Sequence, residues 1–129
     1  MTALMLAASL SNHFLVNILL KRNPDISIKD KAGRNVLHIA CRAGSTKVLE
    51  LLLNHPDAYY LSEERTNGGL TPLMFAVATG KKEVIEFCLN NGMCPFSEDT
   101  LGQDAYDYAR QFPKVNGISI TKYVDAAKE

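Results

Sequence analysis

The sequence predicts an all-α solenoid, in which a short helix, a turn and a longer helix recur along the chain and stack side by side. Three sets of positions in one register predict it. Ala7, Ala40, Ala76 and Ala109 lie 33, 36 and 33 residues apart. Gly33, Gly69 and Gly102 repeat the intervals of 36 and 33. Thr2, Asn35, Thr71 and Asp104 keep the alanine spacing, and each is a residue type whose side-chain oxygen caps free backbone N–H groups at a helix start.

Each unit then follows in order. In the first, Thr2 caps the run that carries Ala7, and Leu15-Val16-Asn17-Ile18-Leu19-Leu20 forms the second helix. In the second, Asn35 opens the short helix, Gly44 turns the chain, and Val48-Leu49-Glu50-Leu51-Leu52-Leu53 repeats the apolar run with its third residue polar. In the third, Thr71 caps, Pro72 takes the first helical position it tolerates, Gly80 stops the helix, and Val84-Ile85-Glu86-Phe87-Cys88-Leu89 follows. Such runs read as helices buried on most of their circumference, with the lone polar side outward. The longer interval places three extra residues between Leu53 and Gly69, where an insertion reads as a loop. The fourth unit departs most: Pro113 stands in the glycine place, and Lys114 to Gly117 delays the next helix, as expected of a capping unit.

The chain resembles the ankyrin repeat family, whose period is about 33 residues and whose mark is T-P-L-H-x-A at the first helix. The mark reads Thr71-Pro72-Leu73-Met74-Phe75-Ala76 in the best copy, and Thr2-Ala3-Leu4-Met5-Leu6-Ala7, Asn35-Val36-Leu37-His38-Ile39-Ala40 and Asp104-Ala105-Tyr106-Asp107-Tyr108-Ala109 in the others. The resemblance implies one domain over residues 1–129, divided as 1–29, 30–65 with the insertion, 66–98, and a capping repeat at 99–129. Met1 directly precedes the first cap, so the first repeat reads as truncated and the chain as a piece of a longer array, with Leu4 and Leu6 short of upstream cover.

Bulk properties exclude several classes. Lys+Arg and Asp+Glu are equal at 14 each, which leaves no general positive field for nucleic acid or anionic lipid. No apolar run approaches the roughly 20 residues needed to span a bilayer. The opening MTALMLAASL has no Lys or Arg ahead of it, unlike a signal peptide. Three cysteines, an odd and sparse set, fit a reducing cytoplasmic location better than a disulfide framework.

Catalytic and metal chemistry find no frame. His38 and Cys41 share a helix face, yet a zinc site needs three or four ligands and none follow at ligand spacing. Cys41 falls beside the packed Ala40, Cys88 within an apolar helix, and Cys94 in the turn after Gly92. By resemblance His38 is structural, its ring nitrogens tying neighbouring loops together. Ala43-Gly44-Ser45-Thr46-Lys47 holds the letters of a phosphate loop in the wrong order. The chain therefore reads as a non-enzyme without cofactor or metal.

What remains is a surface for a protein partner. The resemblance implies a concave face built from the turn tips and the outward residues of the first helices. Carried onto this sequence, it comprises Leu10, Lys31, Arg34, Arg42, Asn67, Leu70, Thr79, Leu101, Gln103 and Phe112. The cations of the second unit suit acidic residues or a phosphate on a partner, or else form a solvated face, and Leu70, Leu101 and Phe112 suit apolar side chains of a partner or packing between units. A second candidate is the insertion, where Tyr59, Tyr60 and Leu61 precede a polar tip and are expected to cover helix ends. The leading function is a monomeric protein-binding module that takes neither nucleic acid nor membrane. The alternative is a regulatory or substrate-docking part of a larger enzyme.

Overall fold

The computed structural model describes residues 2–94 and 97–104. Among them are seven helices: α1 (Ala3–Ser9), α2 (His13–Leu20), α3 (Val36–Ala43), α4 (Thr46–Leu53), α5 (Ala58–Glu63), α6 (Pro72–Thr79) and α7 (Lys82–Asn90). The residues expected to start the first helices do so. Thr2 Oγ1 accepts the Met5 N–H at 3.1 Å, Asn35 Oδ1 accepts those of Leu37 and His38 at 2.9 and 3.1 Å, and Thr71 Oγ1 accepts that of Met74 at 3.4 Å. Gly44 and Gly80 end α3 and α6 as C-caps.

Helices of about two turns are marginal alone, because nucleation costs more than so few hydrogen bonds return. Stacking supplies the rest. α3 packs between α1 and α6, and α4 packs against both α2 and α7, so the chain builds an inner row of first helices and an outer row of second helices. Ala7, Ala40 and Ala76 are fully buried in the inner row, where a methyl side chain lets neighbouring helices approach. Leu37, Leu49, Leu52, Leu73 and Ile85 fill the space between the rows.

Between units the chain makes hairpin turns that stack on one another. Asp30, Thr66 and Asp99 each donate their N–H to the carbonyl four residues on, at 2.9, 2.9 and 2.8 Å. Consecutive turns are stitched together: Asn67 N–H and side chain donate to the Ala32 and Lys31 carbonyls, and Thr100 N–H and hydroxyl both donate to the Gly68 carbonyl.

Three expectations are corrected. The insertion is not a plain loop, since residues 58–63 form α5, with Ala58 and Leu61 inward. Tyr59 and Tyr60 cover no helix ends, being 75% and 77% exposed on its outer side. Asn35 Nδ2 holds the end of α5 through the Leu61 carbonyl at 3.0 Å and Glu64 Oε1 at 3.2 Å. Second, α2 buries only Val16 fully: Leu15 is 39% exposed where its register mate Val48 is fully buried. The cause is positional, because α4 is flanked by α2 and α7 whereas α2 has an outer-row neighbour on one side only among the described helices. Third, Leu4 does not lack cover and is buried, although Leu6 is exposed. The expected fourth helix pair, with Ala109 and Pro113, lies outside the described residues.

Candidate protein-binding surface

The sequence places Arg34 at the tip of the first stacked turn, and Asp30 fixes it there. Asp30 Oδ1 accepts the N–H groups of Ala32 and Arg34, each at 2.9 Å, while Oδ2 pairs with Arg34 Nε at 2.7 Å. Burial raises the Asp30 pKa, but the hydrogen bonds and charge of Arg34 outweigh it and hold the carboxyl below its ordinary value. Asp30 therefore stays ionised and anchors the guanidinium.

Arg34 borders two neighbouring depressions on the inner side. One, about 380 Å³, is lined by Ser9, Arg34, Ile39, Arg42 and Ala43. The other, about 430 Å³, is lined by Ala32, Arg34, Thr66, Asn67, Gly68, Leu70 and Phe75. Of the ten candidate residues, Arg34, Arg42, Asn67 and Leu70 thus come together. Leu10, Lys31, Thr79, Leu101 and Gln103 line neither depression, and Phe112 lies outside the described residues. Thr79 serves its own helix end, donating to the Ala76 carbonyl at 2.6 Å and accepting from Lys81 N–H at 3.3 Å.

Ile39 and Phe75, which line these depressions, were not among the sequence candidates. Both stand at the variable position of the T-P-L-H-x-A mark, four residues after the cap, and that shared register was the available signal. A further depression of about 430 Å³ lies on the outer row, lined by His13, Phe14, Asn17, Lys47, Glu50, Leu51 and Asn54. It is bordered by the rings of His13 and exposed Phe14, which lie tilted by 33° with 4.2 Å between centroids.

His38 is fully buried and bonded through both ring nitrogens. Asn35 N–H donates to Nδ1 at 3.0 Å, so the proton sits on Nε2, which donates to the Leu70 carbonyl at 2.9 Å. Burial pushes its pKa below the ordinary histidine value, against the opposing pull of the Leu70 carbonyl. The Sγ atoms of Cys41 and Cys88 meet at 3.8 Å, both fully buried. The Cys88 thiol beside it, together with burial, raises the Cys41 pKa well above normal. Among the described residues no group of three or more His, Cys, Asp or Glu is placed to hold a metal ion. No helix of the described residues is long and apolar enough to cross a membrane.

Stacked helix pairs with hydrogen-bonded hairpin turns along one edge define a helical repeat solenoid. The chain belongs to the ankyrin repeat family: the pattern described as ankyrin repeats in three copies matches residues 1–64, and a single ankyrin repeat matches residues 68–100. The chain is similar to the human transient receptor potential cation channel subfamily A member 1, at 32% identity over 96 residues and 70% of this chain. It is likewise similar to human ankyrin repeat domain-containing protein 63, at 30% over 94 residues (70%), and to mouse protein fem-1 homolog A-like, at 28% over 88 residues (68%). The matches span only 9%, 24% and 13% of those relatives, respectively. Ankyrin repeats are generally protein-interaction modules without catalysis of their own.

Proposed function

We propose that this chain is a non-catalytic module that binds a protein partner through the inner face of its repeat stack, at the paired depressions beside Arg34. The observation that carries the reading is the sharing of Arg34 between a basic and an apolar depression, on turns that hydrogen bonds lock to one another. A framework already ordered before binding loses little entropy on association, which favours affinity from a small surface. By their register in the repeats, Lys31, Leu10, Leu101 and Gln103 are further candidates for the contact. Balanced total charge supports a protein rather than nucleic acid as partner, and a sparse, odd set of cysteines fits work in the reducing cytoplasm.

The relatives are much longer than the stretch they share with this chain, which supports a docking role within a larger protein as a second reading. Affinity capture from cell lysate tests the main one. Immobilised wild type, an Arg42→Glu/Leu70→Arg variant, and a Phe14→Ala variant altered only in the outer depression are compared. The reading predicts a nuclease-resistant protein partner lost by the inner-face variant and kept by the outer one. The opposite pattern, with both variants folded by circular dichroism, would refute it.

A further inference from the structure

Resting on the inner-face reading, we infer that the partner presents an extended segment in which acidic side chains lie close to an apolar one. The acids would seat in the depression between Arg34 and Arg42, and the apolar side chain in the one floored by Leu70 and Phe75.

Charge complementarity sets the first half. Among the described residues neither depression is lined by a carboxylate, and the basic one carries two guanidinium groups. Arg34 spends its Nε on Asp30, and its remaining N–H groups bond no other described residue. Arg42, exposed in the last turn of α3, has no carboxylate partner among the described residues. A guanidinium held in place is a fork that matches a carboxylate with two parallel hydrogen bonds, and its orientation has been fixed before the ligand arrives. Asp30 provides that fixing. The corresponding turn positions in the next two units are Leu70 and Gln103, so the cationic feature belongs to this unit alone.

The second half follows from adjacency. Across Arg34 the surface becomes apolar, with Ala32, Leu70 and the half-buried Phe75, and Gly68 leaves its rim low. The two depressions adjoin at Arg34 along turns that hydrogen bonds join to one another, so an extended strand of partner laid along the turns reaches both. Nucleic acid fits poorly, because the apolar half offers its phosphates nothing and the chain has no net positive field.

Panning the whole chain at near-physiological salt against a displayed library of random linear peptides tests the inference. Enriched peptides should combine Asp or Glu with a nearby Leu, Ile, Met or Phe. Replacing their acids by the corresponding amides, or introducing Arg42→Gln or Arg34→Gln into the protein, should weaken binding about ten-fold or more. Lys82→Gln, which alters a cation ion-paired with Glu86 on α7, should leave it unchanged. Arg42 is exposed, so its variant reads binding even if Arg34→Gln disturbs the Asp30 turn. Enriched peptides without acids, acidic peptides indifferent to both arginines, or no enrichment would each overturn the inference. Acid-free peptides lost on Leu70→Arg would overturn it while leaving the inner-face function standing. Peptides sensitive only to Phe14→Ala would remove both.

Discussion

His38 of α3 and the Leu70 carbonyl of the following turn are joined by a hydrogen bond of 2.9 Å that spans two repeats. The same ring accepts the N–H of Asn35, the residue that caps α3 and reaches back to the end of α5. One buried imidazole therefore ties a helix start, an inserted helix and the turn that carries the apolar part of the binding surface.

Burial of that ring makes stability depend on pH in a defined direction. Nδ1 accepts the Asn35 N–H, so a second proton on the ring would displace that N–H and place a charge in the core, even though Asn35 Oδ1 lies 3.0 Å away as an acceptor. Because the folded pKa is depressed, this contribution is complete above the unfolded value of about 6.5 and declines as pH falls below it toward the folded value. Urea midpoints should drop between pH 8 and pH 5, and His38→Ala should flatten that slope. The substitution should itself cost about 2–4 kcal/mol, since it leaves buried partners unpaired and opens a cavity.

Close approach of the inner row predicts intolerance of bulk at Ala40. This residue has no exposed surface and lies in the helix held between α1 and α6. Ala40→Leu should destabilise by about 1–3 kcal/mol in thermal or urea unfolding. An unchanged midpoint would count against the packing described.

The stitched turns predict an unequal response among glycines. Gly69 has φ +82°, and a Cβ there would fall 2.6 Å from Thr100 N in the next turn. Gly92 has a similar φ of +85°, but a Cβ there would meet no atom of the described residues within 4 Å. Gly92→Ala should cost about 1 kcal/mol from backbone strain alone, and Gly69→Ala clearly more because the turns must also separate. Equal losses would show that the turn-to-turn contact contributes nothing.

Burial and proximity predict the order of thiol reactivity. Cys41 and Cys88 are inaccessible, and the raised Cys41 pKa leaves little thiolate, whereas Cys94 is partly exposed. A chromogenic disulfide reagent should titrate Cys94 first in the native protein, and the other two only at the rate of unfolding.

What the residues disclosed in advance was the local and the periodic. Thr2, Asn35 and Thr71 cap helices through hydrogen bonds spanning two or three residues, and the alanine register marks positions buried alike at Ala7, Ala40 and Ala76. The α5 helix escaped because six residues with only Ala58 and Leu61 inward contain too little of a period to distinguish from a loop. Leu15 and Val48 share a position and an apolar character, and only the presence of a flanking helix separates exposed from buried. The candidate surface was legible in part for the same reason. Arg34, Asn67 and Leu70 converge because turn tips stack, and Arg42 meets Arg34 from the last turn of α3, while the role of Ile39 and Phe75 depends on how neighbouring units frame them.

Hydrogen exchange on the chain with and without its captured partner tests the central claim most directly. Binding should slow exchange in the turns at residues 30–34 and 66–70 and in the adjoining parts of α3 and α6, leaving α2 and α4 unchanged. Protection confined to α2 and α4, around Phe14 and Leu51, would contradict it.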